Sequence, residues 1–143
     1  MNIRKATEQD IPRLVQIEMS QPFSAQWSRQ DWQQELKNVA AQVWCYEDEE
    51  IKGFVSLRAV AGVAEILNVA VAPADCRRGI GFALFTRVLE ELKKQQVQDV
   101  TLEVNVRNYA AIALYTKAGL AERSRRKKFY HQTDDALLMG KIL

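Results

Sequence analysis

Residues 68–81, which read NVAVAPADCRRGIG, have the composition of a turn that binds phosphate. An apolar strand leads into a proline turn and two arginines, and Gly-x-Gly then opens an amphipathic helix. The first N–H groups of a helix have no partner within it, and the helix dipole adds about half a positive charge there. Gly79 and Gly81 let a phosphate approach the main chain, and Arg77 and Arg78 can donate to its oxygens. The pattern therefore predicts a site for a polyanionic ligand.

The glycines alone do not define the ligand, because Gly-x-Gly also occurs in close-packed strand-to-helix turns that bind nothing. A P-loop is excluded, since Ile80, Gly81 and Phe82 stand where Gly-Lys-Ser/Thr would open the helix. A dinucleotide-binding fingerprint would need a third glycine and an acidic residue after the following strand, which only Glu103 loosely matches. We therefore expect the turn to bind phosphate in another way.

Composition limits the classes of protein to which the chain can belong. With 143 residues and 48% hydrophobic side chains it can bury one core, and we expect a single domain over residues 1–143. No apolar run could cross a bilayer and residues 1–10 lack a signal peptide, so we expect a cytoplasmic protein with no membrane partner. Cys45 and Cys76 have no metal-ligand spacing, and His131 has no nucleophile motif nearby. We expect neither a disulfide, nor a metal site, nor a hydrolytic triad.

Charge is distributed unevenly along the chain. Residues 1–72 carry 7 basic and 10 acidic side chains, a balance of −3, whereas residues 73–143 carry 13 and 8, a balance of +5. The positive part includes the predicted phosphate turn, which suits a nucleotide or a coenzyme with several phosphates. It also includes Arg123 and the run 125–128, which could contact RNA or an acidic partner. Such a run is more often a solvated strand face, so direct nucleic-acid binding is not expected.

The elements that must position the turn alternate between strands and helices, as apolar periodicity and turn residues indicate. Strands are predicted over residues 2–7, 41–47, 51–60, 63–71, 100–104, 122–129 and 136–142, and helices over residues 10–19, 29–36, 79–95 and 108–118. The second to fourth strands should form an antiparallel meander, and the strand, helix and strand around the turn imply a parallel crossover. The run 63–71 is apolar at nearly every residue, as in a strand covered on both faces. An α/β fold is therefore expected.

Local signals support two of the helices. Ser28 and Asp31 have the spacing of an N-terminal cap for the second helix. The helix after the turn carries one apolar stripe, which core packing explains better than ligand binding. The stripe consists of Leu84, Phe85, Val88, Leu89 and Leu92.

Four stretches of the chain together resemble the GNAT acyltransferases. The turn at 76–81 is similar to the family's Gln/Arg-x-x-Gly-x-Gly/Ala motif, with cysteine as its first residue. LEVNVRNYAAIALYTKAGL at 102–120 resembles the family's strand with a glutamate followed by Asn-x-x-Ala-x-x-Leu-Tyr. RRKKFYHQTDDALLM at 125–139 is similar to its arginine-aromatic ending, and FSAQWS at 23–28 to its Phe-Pro-Trp-Ser loop. Within the family, the likeness is to the RimI type, the ribosomal-protein alanine N-acetyltransferases.

The resemblance implies a fold and a cosubstrate. The fold is α/β, a mixed central sheet of about seven strands with a splayed central strand pair, flanked by about four helices. The cosubstrate is acetyl-coenzyme A (acetyl-CoA), without a metal. The strand before the turn would hold the coenzyme arm, and its main-chain N–H groups would polarise the thioester carbonyl. The residues expected to contact the coenzyme are Val69, Ala70, Val71, Arg77, Arg78, Gly79, Ile80, Gly81, Phe82, Asn108 and Tyr115.

Acetyl transfer to an amine needs a base for the amine and an acid for the departing thiolate. The resemblance gives the role of base to Glu103, acting directly or through a water, and Tyr115 is the candidate acid. A phenol with a pKa near 10 is a suitable acid toward a thiolate. Outside this motif, the same residues would read as a solvent-facing strand glutamate and a core tyrosine. The acceptor implied is a protein N-terminus, in particular the N-terminal alanine of a small-subunit ribosomal protein.

The ordinary pKa values of amines favour an N-terminal acceptor over lysine. At pH 7 an α-amine with a pKa near 8 is about one-tenth neutral, whereas a lysine amine is neutral in about one molecule in two thousand. A lysine side chain or a small amine stays an alternative acceptor. A noncatalytic module that binds coenzyme A or RNA stays a second class of function. Glu103 and Tyr115 separate the classes, because a binding module needs no proton transfer.

Overall fold

The computed structural model describes residues 1–130 and 133–143, so His131 lies outside the described residues. Within these ranges the strands are β1 (Asn2–Lys5), β2 (Ala41–Asp48), β3 (Glu50–Val60), β4 (Val63–Val71), β5 (Asp99–Asn105), β6 (Ala121–Tyr130) and β7 (Asp134–Ile142). The α-helices are α1 (Ile11–Met19), α2 (Arg29–Lys37), α3 (Ile80–Lys94) and α4 (Tyr109–Lys117). Every element predicted from the sequence is present, and its ends differ from the prediction by at most two residues.

The strands form one mixed sheet in the order β1-β2-β3-β4-β5-β7-β6. β2, β3 and β4 are antiparallel neighbours, which confirms the meander. β4 and β5 are parallel, which confirms the crossover through α3. Because strand side chains alternate between faces, Cys45 and Phe54 pack with α1 and α2, while Trp44 and Val55 pack with α3. The sheet is therefore covered by helices on both faces.

The local signals for the helices are confirmed. Asp31 N donates to Ser28 Oγ at 3.1 Å, and Ser28 N donates to Asp31 Oδ2 at 2.9 Å, so the two residues form a capping box at the start of α2. The five residues of the apolar stripe on α3 are each at most 7% exposed. This helix packs on the sheet through that stripe, and its first turn lies at the end of β4.

β4 and β5 are the splayed central pair. They pair only over residues 63–66 and 99–102, and beyond this point the two strands have no pairing. The C-terminal part of β4 therefore has a neighbouring strand on one side only, and residues 67–69 are half-buried. Both faces of this part of β4 still meet the core, with Val69 packed against one cluster and Ala70 buried in the other, and the gap lies at its side.

A bulge in β4 accompanies the gap. Ser56 of β3 pairs with Asn68, but the next residue, Leu57, pairs with Ile66. Leu67 is thus an extra residue in β4. A bulge bends the strand that carries it and increases its twist, which is how β4 can leave β5 while it stays paired with β3.

The basic run lies on β6, the edge strand of the sheet, and its side chains are exposed. Two of its arginines are ion-paired to β5: Arg123 Nη2 lies 2.6 Å from Asp99 Oδ1, and Arg126 Nη2 lies 3.0 Å from Glu103 Oε1. Charged side chains on an edge strand hinder pairing with other chains.

The two cysteines differ in their exposure. Burial raises the pKa of the Cys45 thiol to about 12, whereas Cys76 is exposed, and both are free. Among the described residues, no group of three His, Cys, Asp or Glu side chains could hold a metal ion. In the same part of the chain, no helix is long and apolar enough to cross a membrane.

Candidate active site

The gap between β4 and β5 opens into a cavity of about 860 Å³. The two strands line it where they diverge, together with the loop between α1 and α2 and the start of α4. The lining residues are 21–25, 66–69, 102–105, 107–110, Tyr115 and Asp134. A cavity of this size matches the sites in which proteins bind small molecules. Four of the predicted site residues, Val69, Glu103, Asn108 and Tyr115, lie on this one lining.

Glu103 is presented to the cavity by the alternation of β5. Its neighbours Leu102 and Val104 are buried in the core cluster that includes α3, so the intervening side chain points to the other face of the strand. The Arg126 guanidinium fixes one carboxylate oxygen at 3.0 Å, and the Glu103 side chain is 28% exposed. The carboxylate is thus held in place and still accessible to a ligand or a water.

Tyr115 lies on α4 and is 6% exposed. Its ring packs against Phe85 of α3, with 5.3 Å between the ring centroids. Asn108 caps the start of α4, because its Oδ1 accepts from Ala111 N at 3.3 Å. A packed ring has few rotamers, so the side chain keeps a defined position on the cavity lining.

The predicted phosphate turn is a tight turn in front of α3. Arg77 and Gly79 have positive φ angles of 64° and 78°. The first helical hydrogen bond runs from Ala83 N to Gly79 O at 3.0 Å, so the N–H groups of residues 80–82 precede it and have no helical acceptor. A Cβ on Gly79 would meet no atom within 4 Å. The space in front of the turn is therefore open to a ligand.

The arginines of the turn differ in their surroundings. Arg78 Nη1 lies 3.0 Å from Asp75 Oδ1, and Lys52 Nζ lies 3.8 Å from the same oxygen. Arg77 is exposed, whereas the Ile80 side chain is buried, so Ile80 can offer a ligand only its main-chain N–H. A phosphate at the turn would share Arg78 with the buried Asp75.

Gly81 brings the turn close to α4. A Cβ on Gly81 would lie 3.4 Å from Val71 Cγ2 and 3.7 Å from Leu114 Cδ2. The start of α3, the end of β4 and the middle of α4 therefore meet at this glycine. Leu114 precedes Tyr115 in α4, so the turn packs against the same helix that carries Tyr115.

The main chain of β4 faces the gap at alternate residues. Ala72 N donates to Lys52 O of β3 at 2.8 Å. In an antiparallel pair the main-chain groups of alternate residues point to the same neighbour, so those of Ala70 also point to β3. Those of Val69 and Val71 point toward the gap. Of the three strand residues expected to contact the coenzyme, Ala70 thus turns its polar groups away.

Several polar residues of the cavity were not among the predicted site residues. Asn105 Nδ2 donates to Asp134 Oδ2 at 3.0 Å, and Arg107 Nη1 lies 3.5 Å from Asp134 Oδ1. Asp134 reaches the cavity through the pairing of β7 with β5, and no local sequence pattern predicts this position. Glu18 is not on the lining, but it contacts Ser24 and Asn68 of the lining and is buried at the end of α1. Its spacing from the buried Ile11 and Leu14 is a signal that places it on the apolar face of the helix.

Comparison with known proteins shows that residues 9–120 match the acetyltransferase (GNAT) family. The chain belongs to the GNAT family. The ribosomal protein bS18-alanine N-acetyltransferase of Escherichia coli strain K12 is 31% identical over 134 residues, which cover 92% of this chain and 90% of that protein. An N-alpha-acetyltransferase of Sulfolobus acidocaldarius is 28% identical over 152 residues, covering 96% and 90%.

The crystal structure of the ribosomal-protein-S18-alanine N-acetyltransferase from Escherichia coli is similar with a TM-score of 0.89. The sequence identity in that comparison is 28%, and it covers 99% of this chain and 92% of the other. The GNAT fold with its seven-stranded mixed sheet is thereby confirmed. As a GNAT protein this chain is an acetyl-transferring enzyme, an N-acetyltransferase, of a family that uses acetyl-CoA.

Proposed function

We propose that this enzyme transfers the acetyl group of acetyl-CoA to the α-amine of a protein N-terminus. The preferred acceptor is the N-terminal alanine of a small-subunit ribosomal protein, the kind of acceptor that the Escherichia coli relative's name gives. The observation that carries the proposal is the presence of Glu103 and Tyr115 on the lining of one cavity, at the point where β4 and β5 diverge. A ribosomal acceptor also implies a cytoplasmic enzyme, as the sequence predicts.

The groove fits the donor at three places. The N–H groups of residues 80–82, with Arg77 and Arg78, are available to the phosphates of the coenzyme. The main-chain groups of Val69 and the N–H of Val71 can pair with its pantetheine arm in the manner of a neighbouring strand, while Val71 O accepts from Gln21 Nε2 at 2.9 Å. Gly81 allows the close contact between the turn and α4 that joins these places to the cavity. No metal enters this scheme.

In the proposed reaction, the amine nitrogen attacks the carbonyl carbon of the thioester. A C–N bond forms and the C–S bond breaks. Glu103 accepts the proton that the amine loses, directly or through a water, and Tyr115 donates its hydroxyl proton to the departing thiolate. Positioned acid or base groups each contribute about 10²–10⁴-fold to such rates. Main-chain N–H groups of β4 stabilise the negative charge on the carbonyl oxygen.

The choice of an α-amine rests on the size of the deprotonation step. An α-amine is about one-tenth neutral at pH 7 and lysine about one part in two thousand, a difference on the order of 3 kcal/mol. Glu103 is the only carboxylate among the described residues that the family resemblance identifies as a base, and it is partly exposed and bound to Arg126. Such a carboxylate is better suited to an α-amine, whose deprotonation requires less free energy than that of lysine.

A mass-spectrometric screen tests the proposal. Purified enzyme and acetyl-CoA are incubated with peptides that have free N-termini, including one with N-terminal alanine copied from the ribosomal protein, and with lysine peptides whose N-termini are blocked. We expect acetylation of the free N-termini and strongest turnover for the alanine peptide. Acetylation confined to the blocked lysine peptides would show that the acceptor is a lysine side chain and not an α-amine. Absence of transfer to any amine would contradict the enzyme function.

A further inference from the structure

The carboxylate of Glu18 is buried beneath the loop that lines the cavity opposite β5. The residue is 1% exposed. Ser24 Oγ and Asn68 Nδ2 donate to its Oε2 at 2.7 and 2.6 Å, and Trp27 N donates to its Oε1 at 2.8 Å. All three donors are neutral. A buried polar side chain is costly when it has no hydrogen-bond partner, and these three bonds satisfy both carboxylate oxygens of Glu18.

These donors come from two parts of the molecule that define the cavity. Ser24 and Trp27 belong to the loop 20–28 between α1 and α2, and Asn68 is the residue of β4 that directly follows the bulge. Ser24 and Asn68 also contact each other, with 3.1 Å between Nδ2 and Oγ. A single carboxylate thus joins the end of α1, the loop and the bulged strand.

A second anchor fixes the far end of the loop. The Trp27 ring packs edge-on against Trp32 of α2, with 4.8 Å between the centroids. The stretch between the two anchors, residues 21–25, lines the cavity, and Phe23 there is 45% exposed. The position of this stretch relative to Glu103 therefore depends on the hydrogen bonds to Glu18, together with the bond from Gln21 Nε2 to Val71 O at 2.9 Å.

We infer that Glu18 is a positioning residue for the acceptor: it fixes the loop 20–28 against the bulge of β4, so that the loop holds the N-terminal residues of the peptide in front of Glu103. This inference rests on the proposed function. It assigns the loop to acceptor binding and the turn at 76–82 to the donor. A change at Glu18 should therefore separate the two substrates kinetically.

Glu18→Gln is the main test, because it keeps the size of the side chain. All three bonds are donated to Glu18, so the NH₂ group of the new amide would face a donor where an oxygen had accepted. At least one hydrogen bond is then lost. Loss of one such bond makes the anchored loop conformation up to about tenfold less favourable, so we expect the KM for the acceptor peptide to rise by up to about tenfold. The KM for acetyl-CoA is expected to stay unchanged. Hydrogen exchange of residues 20–28, measured without substrates, should become faster.

Two further variants distinguish positioning from general stability. Glu35→Gln is the matched control, since Glu35 is 4% exposed on α2 and is paired with Arg58 at 2.6 Å, outside the cavity lining. It should lower the melting temperature and leave both KM values unchanged. Glu18→Gln combined with Asn68→Asp reverses the polarity of the bond between these residues, because the amide of position 18 then donates to the carboxylate of position 68. This double variant should restore the acceptor KM and the slow exchange.

The inference is overturned if Glu18→Gln changes neither the acceptor KM nor the exchange of residues 20–28, or if it raises the KM values of both substrates equally. If Glu18→Gln does not fold, Ser24→Ala removes one donor from the same carboxylate, and the same readouts decide. Absence of acetyl transfer by the wild-type enzyme would refute the proposed function alone, because the exchange experiment still tests the anchoring of the loop.

Discussion

Replacement of Gly79 by alanine tests the phosphate turn, and the chain offers a matched control. Gly79 has a φ angle of 78°, and a Cβ there would meet no atom within 4 Å. Gly62, in the turn between β3 and β4, has a φ angle of 81°, and a Cβ there would lie 3.9 Å from the Gln98 side chain. Alanine is strained by the same backbone conformation at both sites and meets no steric clash at either.

The strain sets the expected loss of stability. A left-handed conformation costs a residue with a Cβ about 1–2 kcal/mol relative to glycine. For a chain of 143 residues this lowers the melting temperature by about 3–7 °C, and Gly79→Ala and Gly62→Ala should agree within this range. Only at Gly79 does the new Cβ enter the space proposed for the phosphates. Loss of a main-chain hydrogen bond to a charged ligand costs about 1.5–3 kcal/mol, or about 10–150-fold in affinity.

Thermal unfolding and titration calorimetry with acetyl-CoA measure the two effects separately. We expect similar melting temperatures for Gly79→Ala and Gly62→Ala, and a larger dissociation constant for acetyl-CoA in Gly79→Ala alone. Wild-type affinity for acetyl-CoA in both variants would refute the assignment of the phosphate turn. Equal weakening in both would show that loss of stability, and not the position of the Cβ, determines binding.

Four other substitutions test the proposed site and the stability of the fold. Glu103→Gln and Tyr115→Phe should each lower kcat by about 10²–10⁴-fold and keep acetyl-CoA binding, because each removes a proton transfer and little volume; unchanged turnover in both would contradict the mechanism. Arg78→Ala should weaken acetyl-CoA binding, with the effect shrinking as salt is raised, as calorimetry at two ionic strengths can measure. Asp10 accepts two hydrogen bonds from Arg4, at 2.8 and 3.0 Å, and these bonds lower the pKa of its carboxyl group. The stabilisation is thus present above about pH 4 and is lost as the pH falls through the lowered pKa, so Asp10→Asn should unfold more easily at pH 7 and lose less further stability on acidification.

Local pattern was sufficient for the helices and strands and for the turn in front of α3. The apolar stripe of α3, the cap at Ser28 and the glycines of the phosphate turn are all set by residues a few positions apart. Asn108 and Tyr115 share one short helix, so their relation could also be predicted. In each case the structure depends on neighbours in sequence, which a pattern can record.

The cavity itself depends on contacts between residues that are distant in sequence. The apolar run of β4 gives no sign that pairing with β5 stops at Ile66 or that a bulge follows at Leu67, because both depend on the pairing of β4 with its neighbouring strands. Asp134 reaches the cavity through the register of β7. Glu18 shows a middle case, since its spacing predicts burial, but its three donors lie in a loop and a strand that the helix pattern does not include.

The central claim is that this chain acetylates the α-amine of a protein N-terminus, and one peptide can test it. The peptide carries N-terminal alanine and an internal lysine, both with free amines, and is incubated with the enzyme and acetyl-CoA at pH 7. Fragment-ion mass spectrometry of the singly acetylated product then locates the acetyl group. The account predicts the acetyl group on the α-nitrogen of alanine, and an acetyl group on the lysine Nζ would contradict it.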